Sequence, residues 1–165
     1  MSIRAATEDD IPRILEIEND TIAPPWTHGG LLSEIYRDDS FFVVSFMGEH
    51  KACPYGIDDN ISNVPGPGIL GFVILRQTAE DEGELLQIAV DNSARRRGIA
   101  DLLMGAALRY SDEHSLMSVF LEVRKSNDAA VSLYKKHGFV TVRVRKGYYS
   151  DPAEDAVVMV RDFHH

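Results

Sequence analysis

One cysteine in 165 residues leaves no partner for an internal disulfide, and Cys53 standing alone fits a reducing compartment, so a cytoplasmic location is expected. No run approaches the ~18 apolar residues of a membrane-spanning helix. Met1–Ile11 carries three acids and no apolar stretch, so no signal peptide is expected there. Basic residues are also scarce, 17 against 26 acidic ones, for a net charge of −9. General binding to nucleic acid or to an anionic membrane needs a basic face, and this deficit argues against both. The six histidines show no ligand spacing, so no metal centre is expected. Internal repeats and low-complexity tracts are absent.

What the chain does have is enough apolar material for a core: 44% hydrophobic residues beside 26% charged ones, ordinary for a globular protein. Its length predicts one domain over 1–163. The final His164 and His165 read as a tag remnant. The acidic excess is uneven: residues 1–92 hold 5 basic and 17 acidic side chains, residues 93–165 hold 12 and 9. Such a division suits an anionic ligand on the second half and a cationic one on the first, or is drift of surface charge.

Patterning predicts a mixed α/β (α+β) sheet of about seven strands with about four helices. Ile3–Ala6 reads as a strand, and Thr7 as the N-cap of a helix whose first turn holds Glu8, Asp9 and Asp10. Pro24-Pro25-Trp26 interrupts, a short helix follows over Leu31–Tyr36, and Phe41–Met47 is a strand. Over 48–68 four glycines and three prolines, without periodicity, predict an irregular insertion. Ile69–Arg76 and Glu84–Val90 read as an antiparallel pair. Beyond them come an amphipathic helix with Ile99, Leu102, Leu103, Ala106 and Tyr110 on one face, a strand Ser118–Val123 and a helix Asp128–His137. Gly138 would end that helix, and Phe139–Arg145 and Ala156–Arg161 would be the last strands.

Three places suggest chemistry. The stretch Val90-Asp91-Asn92-Ser93-Ala94-Arg95-Arg96-Arg97-Gly98-Ile99-Ala100 joins a strand to a helix. Unpaired amides and the positive dipole end at a helix start favour phosphate, and Gly98 lets an anion approach. A solvated basic turn would have the same composition. Glu122 lies inside the apolar run Val119-Phe120-Leu121-Glu122-Val123, where desolvation would raise its pKa and make it a better base. A salt bridge to Arg124 or an edge lysine is the plainer possibility. Tyr134 shares an apolar helix face with Ala130 and Leu133, the place of many core tyrosines.

Together these motifs resemble the GCN5-related N-acetyltransferases. Arg95-Arg96-Arg97-Gly98-Ile99-Ala100 is similar to that family's (Gln/Arg)-x-x-Gly-x-(Gly/Ala) loop. Leu121-Glu122-Val123-Arg124, Ser126-Asn127, Leu133-Tyr134 and Gly138-Phe139 resemble its RimI-type branch, as do Pro25-Trp26-Thr27 and Gly147-Tyr148-Tyr149. That branch acetylates the N-terminal alanine of a small-subunit ribosomal protein. The resemblance implies splayed strands forming an acetyl-CoA cleft. It places backbone groups of Ile88, Ala89 and Val90 on the pantetheine arm, the Arg95–Asp101 loop (with Arg96, Arg97, Gly98, Ile99 and Ala100) on the pyrophosphate, and Asn127 on the cofactor. Glu122 would be general base and Tyr134 general acid. Trp26, Tyr148 and Tyr149 would wall the acceptor, a protein or peptide N-terminus.

The chain departs from the branch in its long 48–68 segment, which bears on substrate identity more than on the reaction. Acetylation of a small amine or a lysine side chain is the alternative, and a non-catalytic acyl-CoA-binding protein a further one. A covalent route through Cys53 lacks a histidine–acid pattern around that residue. Oligomeric state is open at this level.

Overall fold

The computed structural model describes residues 1–21, 25–47 and 68–163. The insertion expected over 48–68 lies, but for Gly68, outside the described residues, as do Cys53, His164 and His165. Seven strands form a single mixed sheet: β1 (Ser2–Ala5), β2 (Ser40–Phe46), β3 (Ile69–Gln77), β4 (Glu82–Val90), β5 (Ser118–Arg124), β6 (Val140–Ser150) and β7 (Ala153–Asp162), in the order β1-β2-β3-β4-β5-β7-β6. Every neighbouring pair is antiparallel except β4 with β5. Four helices cover it: α1 (Ile11–Thr21), α2 (His28–Ile35), α3 (Ile99–Glu113) and α4 (Asp128–Lys136).

β2 and β3 are apolar at most positions because both of their faces are covered. Along β2 and β3 alternate side chains part company. Phe41, Val43, Val73 and Leu75 join a core under α3 and α4, while Phe42, Val44, Phe72 and Ile74 join one under α1 and α2. Phe46 and Phe72 are fully buried. Each such side chain contributes roughly 1.5–3 kcal/mol relative to exposure.

The predicted start of α1 takes a tighter form. Glu8–Asp10 is a turn of 3-10 helix, and Asp10 is buried. Its carboxylate accepts the N–H (2.9 Å) and hydroxyl (3.1 Å) of Thr7 and both terminal guanidinium nitrogens of Arg4 (2.6 and 2.7 Å). Both oxygens of Asp10 therefore carry bonds, which a buried charge requires.

The last two strands are longer than their apolar pattern predicted. β6 runs to Ser150 and β7 begins at Ala153, so Lys146–Ser150 and Ala153–Asp155 are strand rather than loop. β6 is an edge strand exposed along nearly its whole length, and its polar residues obscured it.

Candidate active site

β4 and β5 pair only through Glu82–Ser118, Gly83–Val119 and Glu84–Phe120, and beyond Glu84 they part. The rest of β4 keeps its ladder with β3. The Asp91 N–H donates to the Leu70 carbonyl of β3 at 2.8 Å. By strand alternation the peptide groups of Ile88 and Val90 then face the gap, and that of Ala89 faces β3. The parting strands thus leave a row of backbone donors and acceptors open to a ligand.

The gap ends at the arginine loop. Asp91 fixes its entry, accepting the Ser93 hydroxyl and the Ser93 N–H (2.8 Å) and pairing with Arg13 of α1, and these donors, the hydroxyl foremost, hold its carboxyl below the usual carboxylate range. Arg95, Arg96 and Arg97 are exposed, and the Arg95 Nε reaches the Val90 carbonyl at 3.4 Å. Gly98 takes φ +78, a left-handed conformation that disfavours side chains, and a Cβ there would meet open space. Leu102 is the residue whose N–H closes on the Gly98 carbonyl (3.0 Å), so the amides of Ile99, Ala100 and Asp101 precede the helical ladder. The loop fits an anion: free amides, a dipole end, three arginines and no side chain at the turn.

Asp101 and Asn127 brace this end of the cleft. The Asp101 Oδ1 accepts from Lys136 Nζ at 2.6 Å and contacts His137 Nε2 at 2.9 Å, joining α3 to the end of α4. Lys136 first, then His137, lowers the Asp101 pKa. The Asn127 Oδ1 accepts the Ala130 N–H at 3.1 Å and caps α4, which leaves its amide nitrogen for a ligand.

At the inner end of the gap the structure brings Glu122, Tyr134, Tyr148 and Tyr149 together. The Glu122 side chain, 16% exposed, is paired with Arg145 of β6, not with Arg124 or a lysine. It also accepts the Tyr148 hydroxyl, which, with burial, raises the phenol's pKa. The salt bridge, the plainer of the two expectations, is therefore formed, and the correction is to its partner: Arg145 of β6 in place of Arg124 or an edge lysine. Arg124 turns instead to Glu154 and the carbonyls of Asp151 and Pro152. Tyr134 is buried, its ring 5.9 Å from that of Phe139, and burial foremost, then the neighbouring Tyr149, raises its pKa above the ordinary phenol range. Its hydroxyl has no hydrogen-bond partner among the described residues.

A bulge delivers the two tyrosines. Between the pairs Arg145–Ala156 and Tyr149–Glu154 the β6 strand carries extra residues, with Gly147 at φ +60 and its N–H on Asp155 (2.9 Å). The rings of Tyr148 and Tyr149 meet edge to face at 5.1 Å, stacked under Arg145 (4.2 Å) and Arg124 (4.1 Å) respectively. Trp26 is half-buried where the chain enters α2, packed against the core under α1 and α2, and among the described residues no ring contact joins it to Tyr148 or Tyr149.

Sequence reasoning missed two carboxylates on this side of the sheet. Glu84, at the last paired step before the strands part, is half-buried, and desolvation followed by the charge of Glu122 raises its pKa. Its signal was an acid within the apolar strand, like Glu122. Glu18, on α1, is fully buried behind Trp26. It was hidden among the acids Glu16 and Asp20. Among the described residues no group of three or more His, Cys, Asp or Glu is placed to hold a metal ion, and no helix is long and apolar enough to cross a membrane.

Residues 11–139 match the acetyltransferase (GNAT) family. Over 164 residues, 97% of this chain and 92% of the relative, the chain is 30% identical to an N-alpha-acetyltransferase of Saccharolobus solfataricus. It is 31% identical to a [ribosomal protein bS18]-alanine N-acetyltransferase of Haemophilus ducreyi, over 95% of this chain and 97% of that one. The crystal structure of the ribosomal-protein-S18-alanine N-acetyltransferase from Escherichia coli superposes with a TM-score of 0.79 at 25% identity, covering 99% of this chain and 94% of the other. With its sheet parted at β4 and β5 and a glycine-led helix at the end of the gap, the chain belongs to the acetyltransferase (GNAT) family.

Proposed function

We propose that this enzyme transfers the acetyl group of acetyl-CoA to the α-amine of a protein or peptide N-terminus, of the ribosomal-protein alanine type. The parting of β4 from β5 carries the reading, because it opens a gap from the Gly98 amides at one end to Glu122 and Tyr134 at the other. Relatives named for N-alpha and bS18-alanine acetylation over nearly the whole chain support the acceptor. A lone cysteine and the absence of a basic excess suit cytoplasmic work on protein rather than nucleic acid.

Bound acetyl-CoA supplies a thioester acyl group. Ile88 and Val90 present peptide groups to the pantetheine arm beside Ala89. The amides from Arg96 to Asp101, with Arg95, Arg96 and Arg97, hold the pyrophosphate, and Asn127 contacts the cofactor. Glu122, with Glu84 beside it, takes the proton that the acceptor ammonium must lose before its nitrogen can attack. Tyr134 gives its proton, or a hydrogen bond, to the departing sulfur. Tyr148, Tyr149 and Trp26 wall the acceptor.

Gly98→Val is expected to weaken acetyl-CoA binding by at least an order of magnitude while the protein stays folded, because a branched residue cannot hold φ +78 without strain. Calorimetric affinity equal to wild type in the folded variant would remove the loop from the cofactor site.

An α-amine has a pKa near 8, about two units below lysine, so more of it is already unprotonated at neutral pH. A peptide with a free N-terminus and basic residues downstream is expected to be acetylated faster than the same peptide N-terminally blocked with its lysines intact. The preference for downstream basic residues should shrink as salt rises. Mass spectrometry of both peptides and a polyamine at two salt concentrations checks this. Equal rates on the blocked peptide would reject α-amine specificity, and preference for the polyamine would assign the site to small amines.

A further inference from the structure

Glu18 breaks three local rules at once. It is a carboxylate with no exposed surface, it sits in the last turn of α1 where the helix dipole disfavours an acid, and no basic residue shares that turn. Its partners explain the placement. Oε2 accepts the backbone N–H of Trp26 at 3.1 Å, across eight residues of chain, and the side chain is hydrogen-bonded to Gln87, itself 7% exposed, on β4. Among the described residues Glu18 Oε1 and Gln87 Oε1 have no hydrogen-bond partner. Burial raises the Glu18 pKa, and the bonds from Gln87 and the Trp26 amide oppose that rise. A helix end stabilised for its own sake would not hold a carboxylate here with an oxygen unmet. Gln87 precedes Ile88, whose peptide group faces the gap, so one side chain ties the entry of α2 to the cofactor strand.

We propose that Glu18 is a positioning residue that fixes Trp26 against β4, setting the acceptor wall at a constant distance from the strand that carries acetyl-CoA. The proposal rests on the reading of Trp26 as part of that wall. Glu18 itself, with no exposed surface, does not touch the acceptor.

The experiment combines amide exchange with kinetics on a free-amine peptide. In the wild-type protein the Trp26 amide should be protected although it precedes α2, and exchange at the rate of an unbonded loop amide would overturn the tie. Glu18→Ala should raise the peptide KM roughly tenfold or more, the loss expected for one buried hydrogen bond to a charged group, with acetyl-CoA affinity within about twofold of wild type. Glu18→Gln keeps an acceptor for Trp26 and should restore the wild-type KM. A peptide KM unchanged in Glu18→Ala, or both ligands weakened alike with no rescue by glutamine, would reduce Glu18 to a structural residue. Trp26→Ala with an unchanged peptide KM would overturn the positioning role. A wild-type protein that leaves the free-amine peptide unacetylated would instead sink the functional reading, and Trp26 amide protection would still test the tie by itself.

Discussion

Tyr134→Phe is expected to lower turnover by about 10²–10⁴ while leaving acetyl-CoA affinity unchanged, since that is the usual range for removing a general acid. The variant isolates one hydroxyl. The ring is buried against Phe139 and packs equally well as phenylalanine, so neither fold nor cleft should shift. That hydroxyl bonds to no described residue, so its loss strands no buried partner. Burial and Tyr149 hold the phenol above its ordinary range, which keeps it protonated in its working state. Sign follows from direction: a raised phenol pKa places its deprotonation above an ordinary value of about 10, so Tyr134 should impose no alkaline fall in rate between about pH 7 and 9. A thiolate leaving beside it then finds a donor at any pH in that window. Stopped turnover assays across pH, with calorimetric binding of acetyl-CoA, check both parts. Near-normal turnover in the phenylalanine variant would remove Tyr134 from the chemistry.

Features built from neighbouring residues were legible in the sequence. The Arg95–Gly98 turn, Gly138 at φ +85 ending α4, and the alternating cores of β2 and β3 follow from local sterics and periodicity. Contacts between distant segments were not. Nothing near Glu122 in the chain says that Arg145, 23 residues on, will meet it. The approach of Tyr148 and Tyr149 to Glu122 depends on a bulge whose register is set by β7, and Gly147 alone did not announce it. Glu84 on β4 and Glu18 on α1 place acids at buried or half-buried positions, but acids are common across residues 1–92, so composition masked these two. Patterning therefore delivered the scaffold and the glycine turn that opens α3. It could not deliver the charge balance around Glu122, which arises from side chains of β4, β5 and β6, the last reaching across β7.

In the proposed reaction that balance sets where the acceptor's proton goes. Glu122 has Arg145 and the Tyr148 hydroxyl as donors. Glu84 is half-buried, and its proton affinity is raised by desolvation and by Glu122. Both side chains lie on the sheet face of α1 and α2, Glu84 opposite Phe120 and Glu122 two residues further along β5. Removing both carboxylates as Glu84→Gln with Glu122→Gln is expected to lower kcat/KM by about 10²–10⁴, whereas each single change should lower it less, because the remaining carboxylate still accepts. The pH profile separates the two roles. In Glu122→Gln the neighbouring charge that raises Glu84 is gone, so Glu84 should titrate lower and the acidic limb of kcat/KM should move to lower pH. An acidic limb that does not move would leave Glu84 outside the reaction. A double variant with near-normal kcat/KM would show that the amine arrives already unprotonated and that neither carboxylate acts as its base.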